Sequence, residues 1–283
     1  MDSYLKFQPN ENIGNFFILR EINRGSYGSV LEVKNMKDNN KYALKVIRNE
    51  ERFTQQCHHE INILKKLNQN NKNNKYPIIT FLGFFDYKQH ICLIFELLSD
   101  INLADLMKKT NYKGLELKNV IKFSRQIGLA IKYIHKNNYI HCDLKPQNIV
   151  MVSEKKCKIK ILDFGISRID NNINNYFYVQ TLYYRAPEIF QKKNYNKKID
   201  IWSYGCLIPE LYSGFPFIYG KDDINQYQLI KDVNKLIFNL KSKNNDNLDK
   251  LKSFLFKTLI HNPNKRYNIL NLIQEPFLKI NNN

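Results

Sequence analysis

At 283 residues and 43% hydrophobic content, the chain is long enough to bury a large core as one big domain or two lobes, and its composition excludes global disorder. The formal net charge of +18 invites a nucleic-acid reading, but only eight of the 44 basic residues are Arg, while Lys, Asn, Ile, Tyr and Phe, the residues of A- and T-rich codons, abound. With the residue best suited to bidentate phosphate and guanine recognition so scarce, and no nucleic-acid-binding pattern in sight, the composition argues against nucleic acid and leaves acidic partners or substrates open.

Residues 1–15 read as a short polar extension, with neither a basic-then-apolar secretory leader nor a Gly at position 2 for myristoylation. Residues 16–22 read as a strand, followed by Asn23-Arg24-Gly25-Ser26-Tyr27-Gly28-Ser29-Val30. Two glycines three apart between strands make a tight turn that can cover phosphates with backbone N–H groups, or an ordinary hairpin. Residues 41–47 alternate as a strand with Ala43, Lys45 and Ile47 in one inward phase. From 53 to 68 the apolar spacing turns helical (Cys57, Ile61, Leu64, Leu67), with Glu60 beside the stripe. Glu60 is the candidate partner for Lys45, since Glu50 and Glu51 lie outside the periodic segment. A polar loop is expected at 68–75, strands at 78–85 and 91–97, and a mainly helical pattern after Ser99. The long amphipathic helix at 117–137 leads into the most informative stretch of the chain. No run approaches the roughly 18 apolar residues of a membrane-spanning helix. Five scattered cysteines (Cys57, Cys92, Cys142, Cys157, Cys206), never spaced as metal-ligand pairs, fit free thiols inside a cell.

That stretch is His141-Cys142-Asp143-Leu144-Lys145-Pro146-Gln147-Asn148, a carboxylate, an ammonium and a carboxamide within six positions between short β-like runs. A loop of this kind on a rigid framework is where catalytic groups usually sit. These residue types suit phosphoryl transfer to a hydroxyl. Asp143 would accept the hydroxyl proton, Lys145 would neutralise charge on the moving group, and Asn148 would ligate magnesium. A strand at 158–162 ends at Asp163-Phe164-Gly165, twenty residues beyond Asp143. A hairpin between them can bring both carboxylates to one cleft, Asp163 to the metal and Asp143 to the hydroxyl.

Taken together, the glycine pair, Ala43 with Lys45, Glu60, the loop at 141–148, Asp163-Phe164-Gly165, Ala186-Pro187-Glu188, Asp200-Ile201-Trp202-Ser203-Tyr204-Gly205 and Arg266 resemble the eukaryotic protein kinases over residues 16–278. The resemblance implies a two-lobed α+β fold with a small antiparallel-sheet N-lobe carrying one helix (16–95), a hinge (96–99), a larger helical C-lobe (100–278) and a tail (279–283). It implies an ATP site drawn from Ile22, Asn23, Gly25, Gly28, Val30, Ala43, Lys45, Phe95, Glu96, Leu98, Val150 and Leu162. Ala43 would pack on adenine, Phe95 would close the pocket behind it, and the backbone at Glu96 to Leu98 would hydrogen-bond it. It further implies a structural pair, Glu188 with Arg266, a structural Asp200, and Mg2+ held by Asn148 and Asp163. Lys145 with Pro146 is of the serine/threonine type, so Ser and Thr hydroxyls of proteins are the implied targets. Nothing demands a membrane or more than a monomer, and cytoplasm and nucleus are not separated.

Within that class the chain is similar to the DYRK group, the dual-specificity tyrosine-regulated kinases of the CMGC class. The residues that carry the similarity are His141-Cys142-Asp143, Glu96-Leu97-Leu98-Ser99, Thr110-Asn111-Tyr112-Lys113-Gly114, and the run Tyr176-Phe177-Tyr178-Val179-Gln180-Thr181-Leu182-Tyr183-Tyr184-Arg185. Tyr178 takes the place of the tyrosine that autophosphorylates in that group. There are departures. Asn23 stands where a third glycine is usual, which a left-handed backbone would tolerate. Leu182 stands where the group has an Arg that acts with Arg185. Pro209 falls inside an expected central helix (Lys198–Ser213), where it removes a hydrogen bond at a cost of roughly 3 kcal/mol. The insert between Gly220 and Arg266 is short. A catalytically dead scaffold of the same fold and a basic binding module are the rival readings, and the intact set of catalytic residues argues against the first.

Overall fold

The computed structural model describes residues 3–170, 178–241 and 247–280. The chain divides into two compact units, Met1–Asp100 and Ile101–Asn283.

In the first unit six strands form one sheet: β1 (Asn12–Ile13), β2 (Phe16–Gly25), β3 (Gly28–Asn35), β4 (Lys41–Ile47), β5 (Phe81–Tyr87) and β6 (His90–Glu96). Their order is β1-β2-β3-β4-β6-β5 and every pairing is antiparallel. The period-2 alternation sends Leu31, Val33, Leu44, Val46 and Cys92 into one dry cluster with Ile13, Phe16 and Ile18. Ala43 and Lys45 therefore lie on the opposite face, half-buried, in phase with buried Ile47. Residues 3–15 are more than a polar lead-in, because Ile13 extends the sheet opposite Phe16 and is 2% exposed. Ahead of it, Asn49 N–H donates to Ser3 O (2.9 Å), and the Tyr4 ring lies 4.5 Å from the Arg48 guanidinium.

The helix α1 (Glu51–Asn70) runs two residues beyond its expected span at each end, and the loop expected at 68–75 shrinks to a single 3-10 turn at Lys72–Asn74. Its buried stripe is Phe53, Cys57, Glu60, Ile61, Leu64 and Leu67. Glu60 is thus part of the stripe rather than beside it.

The second unit holds α2 (Leu103–Lys109), α3 (Leu117–Lys136), α4 (Pro187–Phe190), α5 (Lys198–Ser213), α6 (Asp223–Lys231), α7 (Val233–Asn239), α8 (Leu248–Thr258), α9 (Ile269–Leu272) and α10 (Pro276–Lys279). Two small antiparallel ladders accompany them: β7 (Tyr139–Ile140) with β10 (Arg168–Ile169), and β8 (Ile149–Ser153) with β9 (Lys156–Ile161). Every residue of α5 from Ile199 to Tyr212 is buried, so the whole helix serves as core. It continues unbroken through Pro209, whose missing N–H would have bonded the Gly205 carbonyl. Packing on all sides offsets that loss. Gly205 is needed for the packing itself, since a Cβ there would lie 2.6 Å from Thr258 Oγ1 on α8. Tyr204 completes the junction by donating its hydroxyl to Ser124 O on α3 (2.6 Å).

No helix among the described residues is long and apolar enough to cross a membrane. All five cysteines are free thiols; Cys157 on β9 is exposed and the other four are buried.

Candidate active site

The loop at 141–148 is shaped from beneath by one carboxylate. Asp200, in the first turn of α5 and 1% exposed, accepts the backbone N–H of His141 (2.9 Å) and of Cys142 (3.0 Å), and His135 Nε2–H (2.8 Å). Cys142 needs that hold because its backbone is left-handed (φ 69°), a conformation costing roughly 1–2 kcal/mol for a residue with a Cβ. Its side chain is fully buried, and burial pushes the thiol well above its ordinary range, so it stays neutral. The His141 ring is fixed in one tautomer. Nε2–H donates to Leu162 O (2.9 Å), while Nδ1 accepts the N–H of Asp143 (3.2 Å).

Asp143 and Lys145 then project from the loop as a bonded pair, with Lys145 Nζ 2.7 Å from Asp143 Oδ2. Oδ2 also accepts Asn148 Nδ2 (3.2 Å), which bonds Asp143 O as well (2.8 Å). Oδ1 accepts both the N–H (3.1 Å) and the hydroxyl (2.7 Å) of Thr181, and that hydroxyl accepts from Lys145 (3.0 Å). Four donors therefore match the roughly four lone-pair positions of an ionised carboxylate. Thr181 lies 38 residues beyond Asp143, within the run 176–185 that carries the family similarity, but no role is expected of it from the sequence.

Asn148 and Asp163 are juxtaposed by register. Ile149 pairs with Ile161 in the β8–β9 ladder, and Leu162 N–H donates to Asn148 O (2.8 Å), which sets Asn148 across from the residue before Asp163. With Asn148 Nδ2 committed to Asp143, its carboxamide oxygen is the atom left for a cation. Asp163 adds a carboxylate on a left-handed backbone (φ 61°), accepts Gly165 N–H (3.4 Å), and is followed by fully buried Phe164, 5.1 Å from the His141 ring. Two hard oxygen donors fit magnesium, which takes one or two protein oxygens and completes its shell with phosphate and water. Val150, half-buried on β8, bridges to Asn102.

In the first unit Lys45 Nζ lies 2.9 Å and 3.0 Å from the two carboxylate oxygens of Glu60. Glu60 is 3% exposed on the stripe of α1, so the helix can bury it only with a cation beside it. Glu50 turns elsewhere, to Ser3 and Arg48. Ala43 pairs with Phe95, which is buried against Phe81 (5.7 Å between ring centroids). Glu96 ends β6 with its N–H on Thr80 O (3.1 Å), and Leu98 follows, half-buried.

The glycine hairpin differs from its expected form. Asn23 pairs with Val30 inside the β2–β3 ladder and its backbone is not left-handed, so the explanation offered for Asn at that position does not apply. Ile22 sits at the irregularity between Glu21 and Asn23. Gly25 faces open space, whereas a Cβ on Gly28 (φ 150°) would lie 2.0 Å from Val46 O. Gly28 is therefore required by the neighbouring strand. Two donors reach the hairpin tip, Tyr4 hydroxyl to Gly25 O (2.9 Å) and Arg48 Nη1 to Ser26 O (3.0 Å).

Toward Ala186-Pro187-Glu188, Arg185 is 8% exposed. It donates to Val179 O (3.2 Å), to Gln180 O (2.9 and 3.1 Å) and to Asp223 Oδ1 (2.8 Å). Tyr178, half exposed, stacks its ring 4.0 Å from that guanidinium, and its hydroxyl bonds both Arg185 and Asp223. Tyr176 and Phe177 lie outside the described residues. Glu188 and Arg266, both almost fully buried, form a two-pronged pair at 2.7 and 3.0 Å. Arg266 also donates to Ile260 O (2.9 Å), Lys198 O (2.8 Å) and His261 O (3.3 Å), which leaves no guanidinium direction idle. Tyr184 donates its hydroxyl to buried Glu210 (2.7 Å), whose carboxyl is pushed up to about 7 by burial.

Residues 16–278 match the family described as protein kinase domain. The chain is 38% identical over 217 residues to dual specificity tyrosine-phosphorylation-regulated kinase 2 of Drosophila melanogaster, covering 76% of this chain and 30% of that protein. It is 37% identical over 230 residues to dual specificity tyrosine-phosphorylation-regulated kinase 4 of Homo sapiens (81% and 44%). With kinase 3 of the same name from Homo sapiens it shares 40% over 216 residues (76% and 36%). The matched region is less than half the length of each of these relatives.

Proposed function

The chain belongs to the protein kinase family, and from that premise we propose that it transfers the γ-phosphoryl group of ATP to Ser and Thr hydroxyls of protein substrates. The observation that carries the reading is the bonded group Asp143, Lys145, Thr181 and Asn148, a carboxylate with its donors already arrayed around it. All four of its acceptor positions are taken, so an incoming hydroxyl must replace a donor. Lys145 is the one with a reason to leave, because phosphoryl oxygens compete for its ammonium. As it turns to them, Asp143 Oδ2 becomes able to take the hydroxyl proton. Thr181 holds the other oxygen and so keeps the carboxylate's orientation through the exchange.

Magnesium, held by Asn148 and Asp163, would neutralise charge on the phosphates. Lys45, steadied by Glu60, would grip the phosphates, and Ile22, Asn23, Gly25, Gly28, Val30, Ala43, Phe95, Glu96, Leu98, Val150 and Leu162 are the residues we assign to the nucleotide. Little covalent work falls to the protein in such a transfer; positioning and electrostatics carry the rate. Two of the relatives' shared words, dual specificity and tyrosine-phosphorylation-regulated, point to Tyr178 as a target in cis. We place the protein inside the cell, on the strength of its five free thiols, and acting as a monomer.

The test is incubation with MgATP and a basic protein substrate, beside Asp163→Asn, with phosphosites mapped by mass spectrometry. Asparagine tolerates the left-handed backbone at 163, so the variant should fold. Phosphate on Ser and Thr from the wild type alone is expected. Undiminished transfer by Asp163→Asn would overturn the assignment.

A further inference from the structure

We propose that Asp223 is a positioning residue for Asp143, acting through Arg185, so that the segment from 178 to 185 is held by an anion built into the chain. The proposal rests on the reading of Asp143 as the base.

The chain of contacts begins at a strained point. Gln180, immediately before Thr181, has a left-handed backbone (φ 69°), and such a conformation in a residue with a side chain persists only where its surroundings impose it. Two sets of contacts impose it here. The Gln180 side chain donates to Ser203 Oγ (2.7 Å) and Ile199 O (3.0 Å) and accepts Ala186 N–H (2.9 Å). Its carbonyl is held by Arg185 through Nε (3.1 Å) and Nη2 (2.9 Å). The next residue then delivers its N–H and hydroxyl to Asp143 Oδ1. The direction of the Gln180 carbonyl thus sets where Thr181 meets the carboxylate.

Arg185 does this while almost out of water, and a guanidinium so placed needs an anion. Among the described residues its other acceptors are neutral oxygens: the carbonyls of Val179 and Gln180 and the Tyr178 hydroxyl. Asp223 supplies the charge. It is the first residue of α6, behind the capping residue Asp222, whose side chain accepts Asn225 N–H. A carboxylate in the first turn of this nine-residue helix is favoured by the helix dipole. The helix is itself pinned, because fully buried Gln226 accepts Gly220 N–H (2.6 Å) and donates to Ile218 O (3.2 Å). Asp223 therefore stands on a fixed base although its side chain is 56% exposed.

The ordering of the segment follows without any added phosphate. A phosphate on Tyr178 would meet Asp223, which already bonds the tyrosine hydroxyl, and would have to displace it from Arg185.

Asp223→Asn keeps the shape and removes the charge. Its kcat should fall on the order of tenfold with KM for ATP unchanged, and Asp223→Glu should recover most of the loss. Amide hydrogen exchange across residues 179–185 should quicken in Asp223→Asn while the unfolding midpoint stays put. Wild-type kcat together with wild-type exchange in Asp223→Asn overturns the proposal, as does a fall in kcat matched by a lowered midpoint that Asp223→Glu does not rescue. The exchange measurement needs no turnover. If the wild-type protein transferred no phosphate, unchanged exchange in Asp223→Asn would still sink the positioning role, and quickened exchange would uphold it.

Discussion

The loop at 141–148 and the tip of the glycine hairpin at 23–30 both carry backbone polar groups that side chains satisfy, and the protein satisfies them in opposite ways. The loop is tied from within by a buried anion, Asp200, which gathers two backbone N–H groups and a histidine. The hairpin is tied from outside by half-buried Tyr4 and Arg48, whose bonds to its carbonyls lie at the surface. Interior ties are strong because the abandoned groups have no water to turn to, and exposed ties are weak because they do. The strong tie lies under the loop that carries Asp143, the residue proposed to take the proton, and the weak one at the tip of the hairpin proposed to cover the nucleotide.

Breaking the strong tie should give the largest effect. Asp200→Ala strands two buried N–H groups beside a left-handed Cys142, and we expect a loss of roughly 3–5 kcal/mol in urea unfolding. A loss under about 1 kcal/mol would mean that water takes over the role of the carboxylate. The comparison sharpens at Glu210, an interior carboxyl given one hydroxyl instead of three donors. Its folded value, about 7, lies above its unfolded value near 4.5, so the folded state binds the proton more tightly. The resulting stability is full below pH ~4.5 and is lost as pH rises through ~7. Thermal unfolding from pH 5 to pH 8 should report a decline of about 2–3 kcal/mol from this group, and Glu210→Gln should flatten it. A wild-type slope preserved in Glu210→Gln would assign the effect elsewhere. The weak tie should give the smallest effect. Tyr4→Phe should alter stability by less than about 1 kcal/mol and raise KM for ATP by at most about fivefold, with kcat nearly unchanged in steady-state assays. A larger loss in kcat than in KM would show that the hairpin tip bears on chemistry.

How legible this was depended on the kind of information each feature needs. The helix with periodic burial in the first unit was readable to within two residues at each end. The central helix, buried on all sides, offers no period; its bounds, Lys198–Ser213, were implied by the family resemblance and hold despite Pro209 because its apolar run outweighs one lost hydrogen bond. Lys45 was readable because it shares the inward phase of Ala43 and Ile47, whereas Glu60 was expected beside the apolar stripe and lies on it, buried against that lysine. Ile13 was hidden, since a two-residue strand has no period to detect. The left-handed geometry expected of Asn23 was wrong because strand pairing overrode local preference. Thr181 on Asp143 and Asp223 on Arg185 each join residues 38 apart, and side-chain pairs of that kind exist only after the chain has folded.

The distribution of thiols has a practical side. Burial pushes Cys57 and Cys92 up to about 12 and drives Cys142 and Cys206 upward as well, so none of these four is a ready nucleophile at neutral pH. Cys157 alone is exposed, on the β8–β9 hairpin whose far end carries Asn148 and leads to Asp163. The natural sequence is in effect already a single-cysteine variant for labelling. A fluorophore or spin label attached there would ride on the hairpin that bears the proposed magnesium ligands, with no residue exchanged to install it.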